Sequence, residues 1–133
     1  GFVKLLKHWC VEDAGTVINP MLVDEQLRGG VVQGIGAALY EECLYGPDGQ
    51  LLNGNMADYL VPMAGEMPDI ICAHIETPTK QSQLGAKGVG EAGTAGAAGA
   101  VMNAINVALA PLDAPVTSMP FTPEKILEAH GRV

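Results

Sequence analysis

Glu91 stands alone as an acid in a run of glycines, Gly85-Ala-Lys-Gly-Val-Gly-Glu-Ala-Gly93. Glycine lets the backbone come within van der Waals distance of a ligand, and the segment carries no other carboxylate. A carboxylate held on a rigid turn and partly desolvated has its pKa pushed up towards neutrality, which makes a competent general base. The plainer alternative is that Glu91 opens a helix, where the dipole favours a negative charge. The stretch Gly88-Val-Gly-Glu-Ala-Gly93 also satisfies GxGxxG, and Asp113 follows about twenty residues on. A dinucleotide fold nevertheless fails on mechanism. The preceding strand ends near Thr77, too early for the first glycine to close it, and Asp113 falls at a helix end. Glu91 would moreover bring negative charge to where a pyrophosphate needs positive potential.

Gln33 is the one polar side chain in Gly29-Gly-Val-Val-Gln-Gly-Ile-Gly36. Its amide donates and accepts at once, as a heterocyclic cofactor or an oxo group requires; bonding to a nearby loop carbonyl is the alternative. His8, His74 and His130 are scattered, and Cys10, Cys43 and Cys72 lack metal-site spacing, so no metal ligand set is expected within the chain. The cysteines read as small buried hydrophobes in a reducing compartment. Asp58-Tyr59 and Glu41-Glu42 read as loop-fixing or solvated groups. Lys87 reads as a solvated lysine with phosphate contact as the alternative.

The elements around these residues are legible from periodicity. Val3, Leu5, Trp9 and Val11 alternate with Lys4, His8 and Glu12, which predicts a strand with one wet face. Asp13-Ala-Gly15 and Asn19-Pro20 punctuate its exit. From Asp24 to Cys43, Val31, Val32, Ile35, Ala38, Leu39 and Cys43 form a helical stripe. Its glycines are expected to permit close approach to a neighbour or ligand. Tyr45–Gly49 reads as a turn, 69–77 as a strand, 78–96 as a loop and 97–109 as a helix. Thr122-Pro123-Glu124 has the residues of a helix start. The expected fold class is α+β, mixed strands and helices in a single domain over residues 1–133.

Composition narrows the function classes. The 133 residues carry seven basic and fifteen acidic side chains, a formal net charge of −8. No basic run exists to neutralise phosphates, which argues against nucleic acid and against anionic membrane surfaces. Residues 92–112 are uncharged, but glycines and two asparagines dilute them, so no membrane span is expected. The chain opens on Gly1 rather than Met and reads as structure from Phe2, as a piece of a longer polypeptide would.

Taken in order, Asp13-Ala-Gly-Thr-Val-Ile-Asn-Pro20, Gly29–Glu42, Asp58-Tyr-Leu-Val-Pro62, Glu76-Thr-Pro78, Gly85–Glu91 and Pro120-Phe-Thr-Pro123 carry a resemblance. The chain resembles the C-terminal part of the molybdenum-binding large subunit of the xanthine dehydrogenase/aldehyde oxidase family, and among its branches the aerobic carbon monoxide dehydrogenases. The resemblance spans nearly all of the chain. It departs at Glu25-Gln26, where relatives often have Gly-Gln.

The resemblance implies a molybdopterin cytosine dinucleotide cofactor, with two [2Fe–2S] clusters and FAD on partner domains or subunits. Those partners are the remainder of the large subunit, an iron–sulfur small subunit and an FAD medium subunit. It implies that Glu91 is the base beside molybdenum, in an oxidation of a small substrate (carbon monoxide, an aldehyde or an N-heterocycle) that takes its oxygen from water. Gln33 would lie against the pterin, and Gly88, Val89 and Gly90 would pass close to the metal. No cysteine here is a candidate for the copper-carrying loop of carbon monoxide dehydrogenases. The setting implied is cytoplasmic, and the isolated piece would be inactive. The competing expectation is a catalytically inert stand-alone module with an assembly or binding role.

Overall fold

The computed structural model describes residues 1–132. The order is β1 (Lys7–Asp13), α1 (Pro20–Leu39), a short 3-10 turn (Ala64–Glu66), β2 (Asp69–Ile75), α2 (Ala92–Leu109), a second 3-10 turn (Ala110–Leu112) and α3 (Pro123–Ala129). β1 and β2 pair in parallel, from Lys7 opposite Asp69 to Asp13 opposite Ile75. Strands and helices are mixed, as the α+β expectation had it.

The chain divides into two compact units. One comprises Leu5–Gly34 and Met67–Ala97; the other comprises Gly1–Lys4, Ile35–Glu66 and the residues from Ala98 onward. The first holds the sheet, most of α1, the glycine-rich loop and the start of α2. Leu27, Val31, Ala97 and Ala14 are buried in it.

In the second unit Ile35, Ala38, Val101, Ile105, Val116, Phe121 and Ile126 are buried. Phe121 N–H donates to the Ala38 carbonyl at 2.7 Å. Asn106 clasps Val116 from both sides, donating to its carbonyl at 2.9 Å and accepting from its N–H at 2.8 Å. Tyr45 and Leu51 form the antiparallel bridge of the expected turn. Tyr59 OH donates to Glu41 Oε2 at 2.8 Å and Lys125 pairs with Glu42 at 3.2 Å, so these acids fix loops.

Several boundaries differ from expectation. β1 begins only at Lys7, where the alternation recovers after Leu6-Lys7 breaks it. Its faces are also inverted: Trp9 and Val11 point outward, 64% and 61% exposed, while His8 and Glu12 are half-buried. α1 starts four residues before Asp24 and ends at Leu39, leaving Cys43 exposed outside it. Asn19 is not turn punctuation but the cap of α1: its Oδ1 accepts from Leu22 N–H at 3.3 Å, and Pro20 follows where a missing N–H costs nothing. α2 starts at Ala92 rather than Ala97, because Ala and Gly side chains leave its first turn without a readable stripe. At α3, Thr122 accepts from Lys125 N–H, as the Thr-Pro-Glu signal predicts.

Helical backbone continues from Ala92 to Leu112, and this run is long and apolar enough, by length and composition alone, to cross a membrane. The expectation that its asparagines and glycines disqualify it therefore does not stand on those grounds. Asn106 binds Val116, and Ala97, Val101 and Ile105 are buried.

Candidate functional site

The glycine-rich loop is anchored at its N-terminal side by Asp13, the last residue of β1. Asp13 Oδ1 accepts from Gly15 N–H at 2.9 Å and Thr77 N–H at 3.1 Å. Its Oδ2 accepts from Thr77 Oγ1 and, at 2.7 Å, from Lys87 Nζ. Lys87 also donates to Thr77 Oγ1 at 2.6 Å, so this exposed lysine is engaged by the anchor rather than free for a phosphate. The ammonium of Lys87, then the donors of Thr77 and Gly15, hold the Asp13 carboxyl well below the usual carboxylate range. Backbone bonds complete the anchor: Lys87 N–H to Ala14 O at 2.9 Å, and Thr16 N–H to Gly85 O at 3.1 Å.

On the far side, α2 lies directly on α1. A Cβ on Gly93 would stand 2.6 Å from Leu27 O and 2.9 Å from Val31 N, and one on Gly30 would stand 3.2 Å from Thr94 N. The close approach expected of the α1 glycines is real at Gly30, whereas a Cβ on Gly29 would meet nothing within 4 Å. Thr94 Oγ1 donates to Gly30 O at 2.9 Å and approaches Gln33 Oε1 at 3.2 Å. A hydroxyl carries one proton, and the shorter bond takes it. The Gln33 carboxamide therefore keeps donor and acceptor capacity for a ligand.

Glu91 occupies the start of α2, its carbonyl accepting from Thr94 N–H at 3.2 Å and Ala95 N–H at 3.3 Å. Thr94 thus bonds the backbone at Glu91 and at Gly30, with Gln33 Oε1 within 3.2 Å of its hydroxyl. Immediately before Glu91, Gly90 O accepts from Gln26 Nε2 at 2.7 Å. Gly88, Gly90, Glu91 and Gln33 are exposed and Val89 is half-buried. The partial desolvation expected of Glu91 is therefore not supplied by the chain itself, whose own atoms leave the carboxylate uncovered. Beside the loop runs an apolar groove of about 450 Å³, lined among others by Ile18, Leu22, Val23 and Val89 with Asn19 and Gln26 at its polar points.

Gln26, Thr77 and Thr94 hold the site, and no role for them is readable in the sequence; Asp13 offered only its place before a turn glycine. The Glu25 departure finds a use, since Glu25 pairs with Arg28 at 2.7 Å. The GxGxxG reading fails here as well. β2 ends at Ile75, and Asp113 terminates the second 3-10 turn in a left-handed conformation, φ 49°. His74 Nε2 lies 2.6 Å from Asp24 Oδ1. Among the described residues no group of three or more His, Cys, Asp or Glu could hold a metal ion.

Residues 1–68 match the molybdopterin cofactor-binding domain family. The nicotine 6-hydroxylase large subunit of Paenarthrobacter nicotinovorans is 45% identical over 129 residues, covering 97% of this chain and 16% of that protein. The carbon monoxide dehydrogenase large chain of Afipia carboxidovorans is 34% identical over 120 residues, 90% of this chain and 15% of that one. The crystal structure of quinoline 2-oxidoreductase from Pseudomonas putida 86 superposes with a TM-score of 0.89 at 44% identity, covering 92% of this chain and 16% of that one. The chain thus spans about one sixth of the length of these relatives.

Proposed function

The chain belongs to the molybdopterin cofactor-binding domain family, and we propose that it is the C-terminal cofactor-binding part of a molybdenum hydroxylase large subunit, with Glu91 as the active-site base. The observation that carries this reading is the way Glu91 is presented. It projects from the first residue before α2, on a loop tied down at Asp13 on one side and at Gln26 and Gly30 on the other.

The residues fit one end of the cofactor. A Cβ on Gly88 or Gly90 would meet nothing within 4 Å, so this stretch of backbone is open to a flat ligand, and Gln33 offers an uncharged donor and acceptor of the kind a pterin edge requires. Gly88, Val89, Gly90 and Gln33 would hold that end. The two cations nearest this loop are already paired, Lys87 with Asp13 and Arg28 with Glu25, so the phosphates of a cytosine dinucleotide would be held mainly by the remainder of the large subunit.

When bound, the molybdenum centre supplies the two-electron oxidation and the transfer of an oxygen drawn from water. Glu91 would take the proton released in that transfer at its carboxylate. Higher identity to the nicotine and quinoline enzymes than to the carbon monoxide enzyme favours an N-heterocyclic substrate over carbon monoxide or an aldehyde. The [2Fe–2S] clusters and FAD of small and medium subunits would accept the electrons. We take the chain as part of a single cofactor-binding domain of that subunit. Three free cysteines suit a cytoplasmic setting.

The test is Glu91→Gln in the assembled full-length enzyme. Turnover should fall by at least ~100-fold, the contribution of a positioned base, while molybdenum content stays at the wild-type level. Turnover within a few-fold of wild type, or loss of metal and fold together, would overturn the assignment.

A further inference from the structure

We infer that Gln26 is the positioning residue for Glu91, an inference that rests on Glu91 being the base. Residues 88–90 have little to fix them. Two of the three are glycine, and neither lies against a neighbour that would limit its torsions. Among the described residues, the one hydrogen bond reaching residues 88–90 from another element is that from Gln26 Nε2 to Gly90 O, at 2.7 Å. That carbonyl belongs to the peptide leading directly into Glu91, so its orientation sets the direction in which the Glu91 Cα–Cβ bond leaves the chain.

The platform behind Gln26 is rigid. Leu27, the next residue, is fully buried, and its carbonyl abuts Gly93 two residues beyond Glu91. One face of α1 therefore grips the chain just before Glu91 through Gln26 and just after it through Leu27 and Gly30. Gln26 and Gly90 also line the same groove, so the bond forms part of its wall. The side chain must donate and must have the length of glutamine. Glutamate would oppose an acceptor to the carbonyl beside a second carboxylate, and asparagine is one methylene short.

The experiment compares Gln26→Met, which keeps the length and removes the donor, with wild type in the assembled enzyme, alone and combined with Glu91→Gln. Expected are a kcat lower by roughly 10- to 100-fold, the scale of a small misplacement of a reacting group, with KM, molybdenum content and melting temperature unchanged. In the Glu91→Gln background the same change should leave the residual single-turnover rate unaltered, because nothing remains to be positioned. Wild-type kcat in Gln26→Met, a fall in melting temperature or metal content that accounts for the lost rate, or an equal loss in both backgrounds overturns the inference. Undiminished turnover in Glu91→Gln alone would instead remove the base assignment itself, and this inference with it.

Discussion

Asp13 shows how one side chain sets the entry of a functional loop. It receives four donors from three segments, the turn after β1, the end of β2 and the loop. A carboxylate bound in this way favours the folded state wherever it is ionised, and the sign of the pH dependence follows. Its folded pKa is depressed, first by Lys87, below the unfolded value of about 4. The stabilisation is therefore complete above that value and is lost as the pH falls towards the folded one. Asp13→Asn should lower the melting temperature at pH 7, and the gap from wild type should narrow in scans taken below about pH 4. A gap that stays constant through that range would show that the carboxylate charge contributes nothing. The thiols of Cys10 and Cys72, opposite one another in the sheet, are pushed up by burial. Both should alkylate more slowly at pH 7 than the exposed Cys43 in the isolated chain, as peptide mapping after brief labelling would report.

The contact between α1 and α2 is set by the absence of side chains. Gly93→Ala would drive a methyl group into the Leu27 carbonyl and the Val31 amide, backbone atoms that cannot turn aside. A loss of roughly 1–3 kcal/mol is expected, the usual cost of overpacking, measurable by urea denaturation. Gly88→Ala, with nothing near the added methyl, should leave stability within about 0.5 kcal/mol, and lowered cofactor retention would then report contact with the ligand. This element-level design was only half legible in the sequence. The α1 stripe and the Thr122 cap follow from local rules and were readable. The early start of α2 was not, because Ala92–Gly96 carries no bulky apolar residue to mark a face. The bonds that hold the site, Gln26 to Gly90 and Lys87 to Asp13, span 64 and 74 residues. No periodicity reports a partner at that distance, so the sequence marks Gln26 only within the Glu25-Gln26 departure and gives no sign of the partner that engages the exposed Lys87.

The inversion of β1 belongs to the scale of the whole enzyme. Alternation reveals that a strand has two unlike faces, and the assumption that the apolar one points into its own domain fails here. Trp9 and Val11 lie on the outer face beside Ile71 and Ile75, which are 44% and 55% exposed. Parallel strands are ordinarily covered on both faces, and a contiguous apolar patch on a sheet marks a surface made to be buried. Under the function proposed above, the rest of the large subunit would cover this face, since the chain spans only 16% of the nicotine 6-hydroxylase subunit and 15% of the carbon monoxide dehydrogenase chain. The two states differ in magnitude. If Trp9 stays as open in the assembled enzyme as it is here, Trp9→Ala should alter stability by no more than about 0.5 kcal/mol. If the remaining polypeptide covers it, the same change removes a buried indole and should cost about 3–5 kcal/mol. Urea denaturation of the full-length subunit, followed through the transition that includes this sheet, should give the larger value, and Lys7→Ala on the same face should give the smaller. Equal, small effects from both substitutions would leave the sheet face in water and the patch without its assigned cover.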